Sequence, residues 1–120
     1  MTPKPSERRQ DPRVNERVSL AIRDASAELV GETKNLSASG AYCTLERFIA
    51  PMTKLELKLE LPNETHPTLI RCQGVVVRVE PVVSNADRGR YHIAVLFTEL
   101  KKQDRAAIER FVRQRLSAST

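Results

Sequence analysis

At 120 residues the chain has the size of one domain, and with only five aromatics its core must be built mostly from Val, Leu, Ile and Ala. No uncharged apolar run approaches the roughly 20 residues that cross a bilayer. The opening MTPKPSERRQDPR carries no secretory segment, so no membrane insertion and a cytoplasmic location are expected. The net charge of +5 sits mainly at the ends: residues 1–17 hold five basic side chains against three acidic ones, and Lys101 to Leu116 hold six against two. That surplus favours an anionic partner such as nucleic acid, a nucleotide or a membrane surface.

Residues 1–16 contain three prolines and no hydrophobic periodicity, which reads as a mobile basic arm ahead of a single folded domain over residues 17–120. From Arg17 the pattern becomes strand-like. RVSLAIR places Val18, Leu20 and Ile22 on one face, and AELVGETKNL and GAYCTL are the second and third candidates. KLELKLELP then alternates without exception, with Leu55, Leu57, Leu59 and Leu61 against Glu56, Lys58 and Glu60. LIRCQGVVVRVEPV and YHIAVLF supply the last two strands, separated by the loop SNADRGR. Six strands with short turns indicate a mainly β domain, an antiparallel sandwich or a small barrel. In KKQDRAAIERFVRQRL the residues Ile108, Phe111, Val112 and Leu116 form one stripe of a C-terminal helix, expected to pack on the sheet.

Catalytic and metal chemistry find no support. His66 and His92 are isolated, and no Cys or His pair has ligand spacing. Cys43 and Cys72 read as buried free thiols. Ser37 and Ser39 lack a GxSxG elbow, and neither phosphate-loop nor dinucleotide fingerprints occur, so the chain is expected to be no enzyme and to need no cofactor.

The stretch NLSASGAYC, Asn35 to Cys43, puts three small polar side chains ahead of a glycine. Such residues serve a turn, and they also let a ligand approach a sheet. The arm offers the complement. In RRQDPR, Arg9 and Arg13 lie four residues apart with Arg8 adjacent, and a guanidinium can hold phosphate bidentately, pair with guanine or stack on a base.

An RxxxR on an arm, then a strand, then NxSxxG resembles the PilZ domain family, the bacterial receptors for cyclic di-GMP, and the likeness runs from about Glu7 to Leu116. The matching residues are Arg9-Gln-Asp-Pro-Arg13 and Asn35-Leu36-Ser37-Ala38-Ser39-Gly40, with Ala94 departing from a glycine common at its position. The resemblance implies a six-stranded antiparallel β-barrel with a mobile N-terminal arm and a C-terminal helix. It implies cyclic di-GMP as ligand, with Arg9 and Arg13 on phosphate and the guanine Hoogsteen edge. Asn35 and Ser37 would hydrogen-bond the ligand from the sheet, and Gly40 would leave room for its approach. Arg8 would stack on a base, at a position that influences whether one or two ligand molecules bind. The arm would close over the ligand and signal to a protein partner not identified by the sequence.

Two other readings compete. A nucleic-acid binder on an OB-like barrel would use the basic arm and helix, but it needs exposed aromatics, and most of the five are expected in the core. A protein-interaction adaptor needing no nucleotide would have no use for the intact two-part motif.

Overall fold

The computed structural model describes residues 13–24, 27–62, 66–83 and 89–118. Among them are six strands, β1 (Ser19–Arg23), β2 (Glu28–Leu36), β3 (Gly40–Leu45), β4 (Lys54–Leu61), β5 (Thr68–Pro81) and β6 (Tyr91–Glu99), followed by one helix, α1 (Lys102–Ala118). The strands pair antiparallel in the order β1-β2-β3-β6-β5-β4, and β4 returns to β1 with Leu59 opposite Leu20. The sheet is thus a closed barrel, the second of the two architectures left open by the strand pattern. Closure removes the two free edge strands that an open sheet would have.

Period-two sequence dictates which side of each strand is interior. In β4, Leu55, Leu57, Leu59 and Leu61 are buried while Lys54, Glu56, Lys58 and Glu60 are exposed. Leu20, Ile22, Ile70 and Ile93 meet them inside, and each such side chain contributes about 1.5–3 kcal/mol on burial. Ile108, Phe111 and Val112 of α1 join the same core, so the helix is a barrel-packed element. Leu116, expected in that stripe, is 38% exposed, and the buried stripe is one turn shorter than its sequence pattern.

Two further expectations are corrected. Of the aromatics only Phe111 is buried: Phe48 is exposed, and Tyr42, Tyr91 and Phe97 are half-buried. Tyr42 alternates with buried Ala41 and Cys43 and so faces outward, whereas Tyr91 and Phe97 share the inward side of β6 with Ile93 and Val95 and pack against the core. The folded unit also begins before residue 17. Val14, an isolated apolar residue in a polar stretch, is buried and exchanges both backbone hydrogen bonds with Leu36, at 3.0 and 2.9 Å. The expected mobility of the arm concerns residues that are otherwise outside those described.

A β-bulge at the end of β2 decides what the barrel presents there. Leu29 packs on the core and Thr33 is buried, so strict alternation would also send Asn35 inward and Leu36 out. The register shifts between Thr33 and Asn35, leaving Lys34 as the extra residue. Asn35 is turned to the outer surface opposite Tyr42, and Leu36 becomes fully buried.

Candidate functional site

The bulge brings the two halves of the sequence motif together. Residues 13–15 run alongside the end of β2 through the Val14–Leu36 bridge. Arg13 and Asn15, on the same side of this short extended segment, flank the Asn35 side chain. Arg13 Nη1 donates to Asn35 Oδ1 at 2.7 Å, and Asn35 Nδ2 donates to Asn15 Oδ1 at 2.8 Å. The two bonds fix the amide orientation, because a guanidinium only donates. The Arg13 bond uses one of its five N–H groups.

The root of the arm is held from beneath by Thr33. Its hydroxyl donates to the Glu16 carbonyl at 2.7 Å and accepts from the Val18 amide at 3.1 Å, with no exposure to solvent. Arg115 of α1 adds an ion pair to Glu16 at 3.7 Å while its guanidinium lies 4.8 Å from the Phe111 ring centroid. This pair is partly exposed and worth little by itself.

Ser37, Ala38, Ser39 and Gly40 make the connection from β2 to β3. The Ser37 amide donates to the Gly40 carbonyl at 3.0 Å. The Ser37 hydroxyl meets the Ser39 hydroxyl at 2.9 Å and accepts from the Ser39 amide at 3.2 Å. Ser37 was expected to reach a ligand from the sheet, yet here it is completely buried and its hydroxyl is engaged within the turn. Gly40 was expected to leave room for a ligand. A side chain there would instead collide with the Val95 carbonyl oxygen, so the glycine is required by the close approach of β3 to β6. Neighbouring elements hold the connection too. The Phe97 amide donates to the Ser39 carbonyl at 2.9 Å, and Arg105 Nη1 of α1 donates to the Ala38 carbonyl at 3.3 Å.

Of the expected site residues the structure therefore brings Arg13, Asn35, Ser37 and Gly40 to one end of the barrel, while Arg8 and Arg9 lie outside the described residues. Sequence reasoning missed Asn15, Thr33 and Arg105. Asn15 alone carried a signal, its spacing of two from Arg13 in an extended segment.

Burial raises the Cys43 thiol from its ordinary value of 9.0 to about 12. The Cys72 thiol rises to about 11, chiefly by burial and secondarily through the Asp104 charge. Such thiols are poor nucleophiles at neutral pH. Among the described residues there is no cluster of three metal-ligating side chains and no helix long and apolar enough to cross a membrane.

The fold has close counterparts among solved structures. The Bacillus subtilis inhibitor of motility, MotI/DgrA, superimposes with a TM-score of 0.83 at 21% identity, over 98% of this chain and 57% of that one. The PilZ domain of YcgR from Escherichia coli, solved with cyclic di-GMP, gives 0.69 at 9% identity, over 93% and 94%. The MrkH–cyclic di-GMP complex of K. pneumonia gives 0.71 at 18% identity, over 92% and 52%. This chain thus spans little more than half of MotI and about half of MrkH. No curated protein sequence matches it. The PilZ domain family model matches residues 7–114, nearly the whole chain, and the chain belongs to that family.

Proposed function

We propose that this domain is a cyclic di-GMP receptor that closes its N-terminal arm over the ligand. The observation that carries the reading is the 2.7 Å bond from Arg13 to Asn35. It joins the arm half and the sheet half of the motif, 22 positions apart, at one place on the barrel surface. Arg13 is then poised over the sheet with most of its N–H groups left for a phosphate or a guanine edge, and Asn35 offers the sheet-side amide. Arg9 lies four residues upstream, within about 14 Å of Arg13 along even a fully extended chain. That reach lets Arg8 and Arg9 fold back onto a ligand resting on Asn35. Ser37 and Gly40 contribute by shaping the turn that carries Asn35 into β3. The described neighbours solved with cyclic di-GMP share the fold and support the same ligand.

Ordering the arm draws on the gross contact energy, which sets affinity in the micromolar or sub-micromolar range. Closure changes the surface around residues 13–16, and a protein partner or linked domain reads that change. Glu16, tied to Thr33 and Arg115, is the place where the arm meets both barrel and helix.

The half-buried Tyr42 and exposed Phe48 keep a single-stranded nucleic acid as the competing ligand. Calorimetric titration with cyclic di-GMP, with GTP and a short single-stranded RNA as controls, separates the two. Saturable binding of cyclic di-GMP that weakens as salt rises supports the proposal. Binding of the RNA alone, or of nothing, refutes it.

A further inference from the structure

The outer surface beside Asn35 carries a feature that the two-part motif does not include. Strand register places Asn35, Tyr42, Ala94 and Arg78 in one row across β2, β3, β6 and β5. Tyr42 is the direct cross-strand partner of both Asn35 and Ala94. Directly opposed residues of an antiparallel pair lie about 4.5–5.5 Å apart with side chains on the same face. Any planar group held by the Asn35 amide must therefore lie against the Tyr42 side chain.

Tyr42 is braced for that load. Its ring stacks on His92 with centroids 5.5 Å apart and planes at 30°. His92 is held in turn by Thr44, whose hydroxyl lies 3.2 Å from Nδ1. Both rings are half-buried, so each keeps part of its surface open to solvent. Next along the row is Ala94, a single methyl between the aromatic pair and the Arg78–Glu80 ion pair at 3.0 Å. The surface is low there, with room for a flat group to extend past the tyrosine. A cross-strand pair serving only sheet stability would need none of this step in height.

Resting on the cyclic di-GMP reading above, we infer that Tyr42, braced by His92 and bordered by Ala94, is a shelf on which one guanine base of the ligand stacks. Stacking accepts any purine, so Tyr42 supplies affinity, and the arm arginines supply the preference for guanine. The position also gives the ligand a direction. One base lies over β3 and β6, and the phosphates lie toward the arm side of Asn35.

The test uses the full chain. Cyclic di-GMP is titrated calorimetrically into the wild type, Tyr42→Leu, Tyr42→Phe and Arg13→Ala, and the guanine H8 resonance is followed by NMR on the wild type. Tyr42→Leu is expected to weaken binding about tenfold, the scale of one base–aromatic stack, and Tyr42→Phe, which keeps the ring, to restore it to within about threefold. In the wild type, ring current from the shelf should move H8 of one guanine upfield. Wild-type affinity in Tyr42→Leu, or an unmoved H8 in a saturated complex, overturns the shelf. If Arg13→Ala still loses binding in that case, the receptor reading survives alone. A wild type that binds no cyclic di-GMP removes both. Should Tyr42→Leu fail to fold, the H8 shift decides.

Discussion

The Thr33 hydroxyl donates to the Glu16 carbonyl at 2.7 Å from a site with no solvent exposure, so the root of the arm is fastened to β2 immediately before its bulge at Lys34. One side chain thereby ties the root of the arm to the barrel just before β2 changes face. Thr33→Val preserves the shape and removes the hydroxyl, stranding the Glu16 carbonyl and the Val18 amide. We predict a loss of about 1–3 kcal/mol of stability, read from urea denaturation with unchanged m-value.

Gly40 leads to a second prediction. Its missing side chain is what lets the Val95 carbonyl approach, and both strands are held on their other sides. Gly40→Ala should destabilise the barrel by about 1–3 kcal/mol, seen as a lower melting temperature before any ligand is added. An unaltered melt would mean that β3 and β6 separate freely, and would return the glycine to a role in ligand approach alone.

Much of the fold was legible in residue order. The Leu55 to Leu61 alternation placed β4 and its interior face without error, and the helical stripe identified α1. Closure was not legible in the strand periodicity, and only the family resemblance implied it. It depends on β4 meeting β1 and β3 meeting β6, pairings between segments far apart in sequence that leave no mark on local periodicity. The bulge was equally hidden. Lys34 is exposed and chemically ordinary, yet its insertion decides that Asn35 faces out and Leu36 in. Val14 was overlooked because one apolar residue gives no period, although one is enough to make a buried bridge. For the site, the motif identified Arg13 and Asn35, but the buried setting of Ser37 follows from a turn whose geometry only the assembled barrel reveals.

The cysteines carry a pH prediction. Both thiols are raised in the folded protein, Cys43 to about 12 and Cys72 to about 11, against 9.0 when unperturbed. The folded state keeps these protons longer than the unfolded state does. The corresponding stability is complete below pH 9.0 and is lost progressively as pH rises toward 11 to 12. Denaturation midpoints should fall between pH 8 and pH 10, and a Cys43→Ala, Cys72→Ala double variant should show less of that fall. At neutral pH a thiol reagent should label the native protein far more slowly than the urea-unfolded chain.

Arg13 and Asn35 touch, so their effects on ligand binding should not add. Each alanine variant is expected to weaken cyclic di-GMP binding, and the double variant to lose less than the sum, by about 0.5–1.5 kcal/mol of coupling. Because the bond between them is solvent-exposed, neither single change should lower the melting temperature of the free protein appreciably. Strict additivity would show that the two side chains meet the ligand independently.

One calorimetric comparison decides the receptor reading: cyclic di-GMP titrated into the wild-type chain and into Arg13→Ala under identical salt. The wild type should bind saturably at micromolar concentration or tighter, and the variant should lose about 1.5–3 kcal/mol or more, the cost of one charged bidentate contact. Equal affinities in the two proteins, or no heat from the wild type at high micromolar ligand, would contradict that reading.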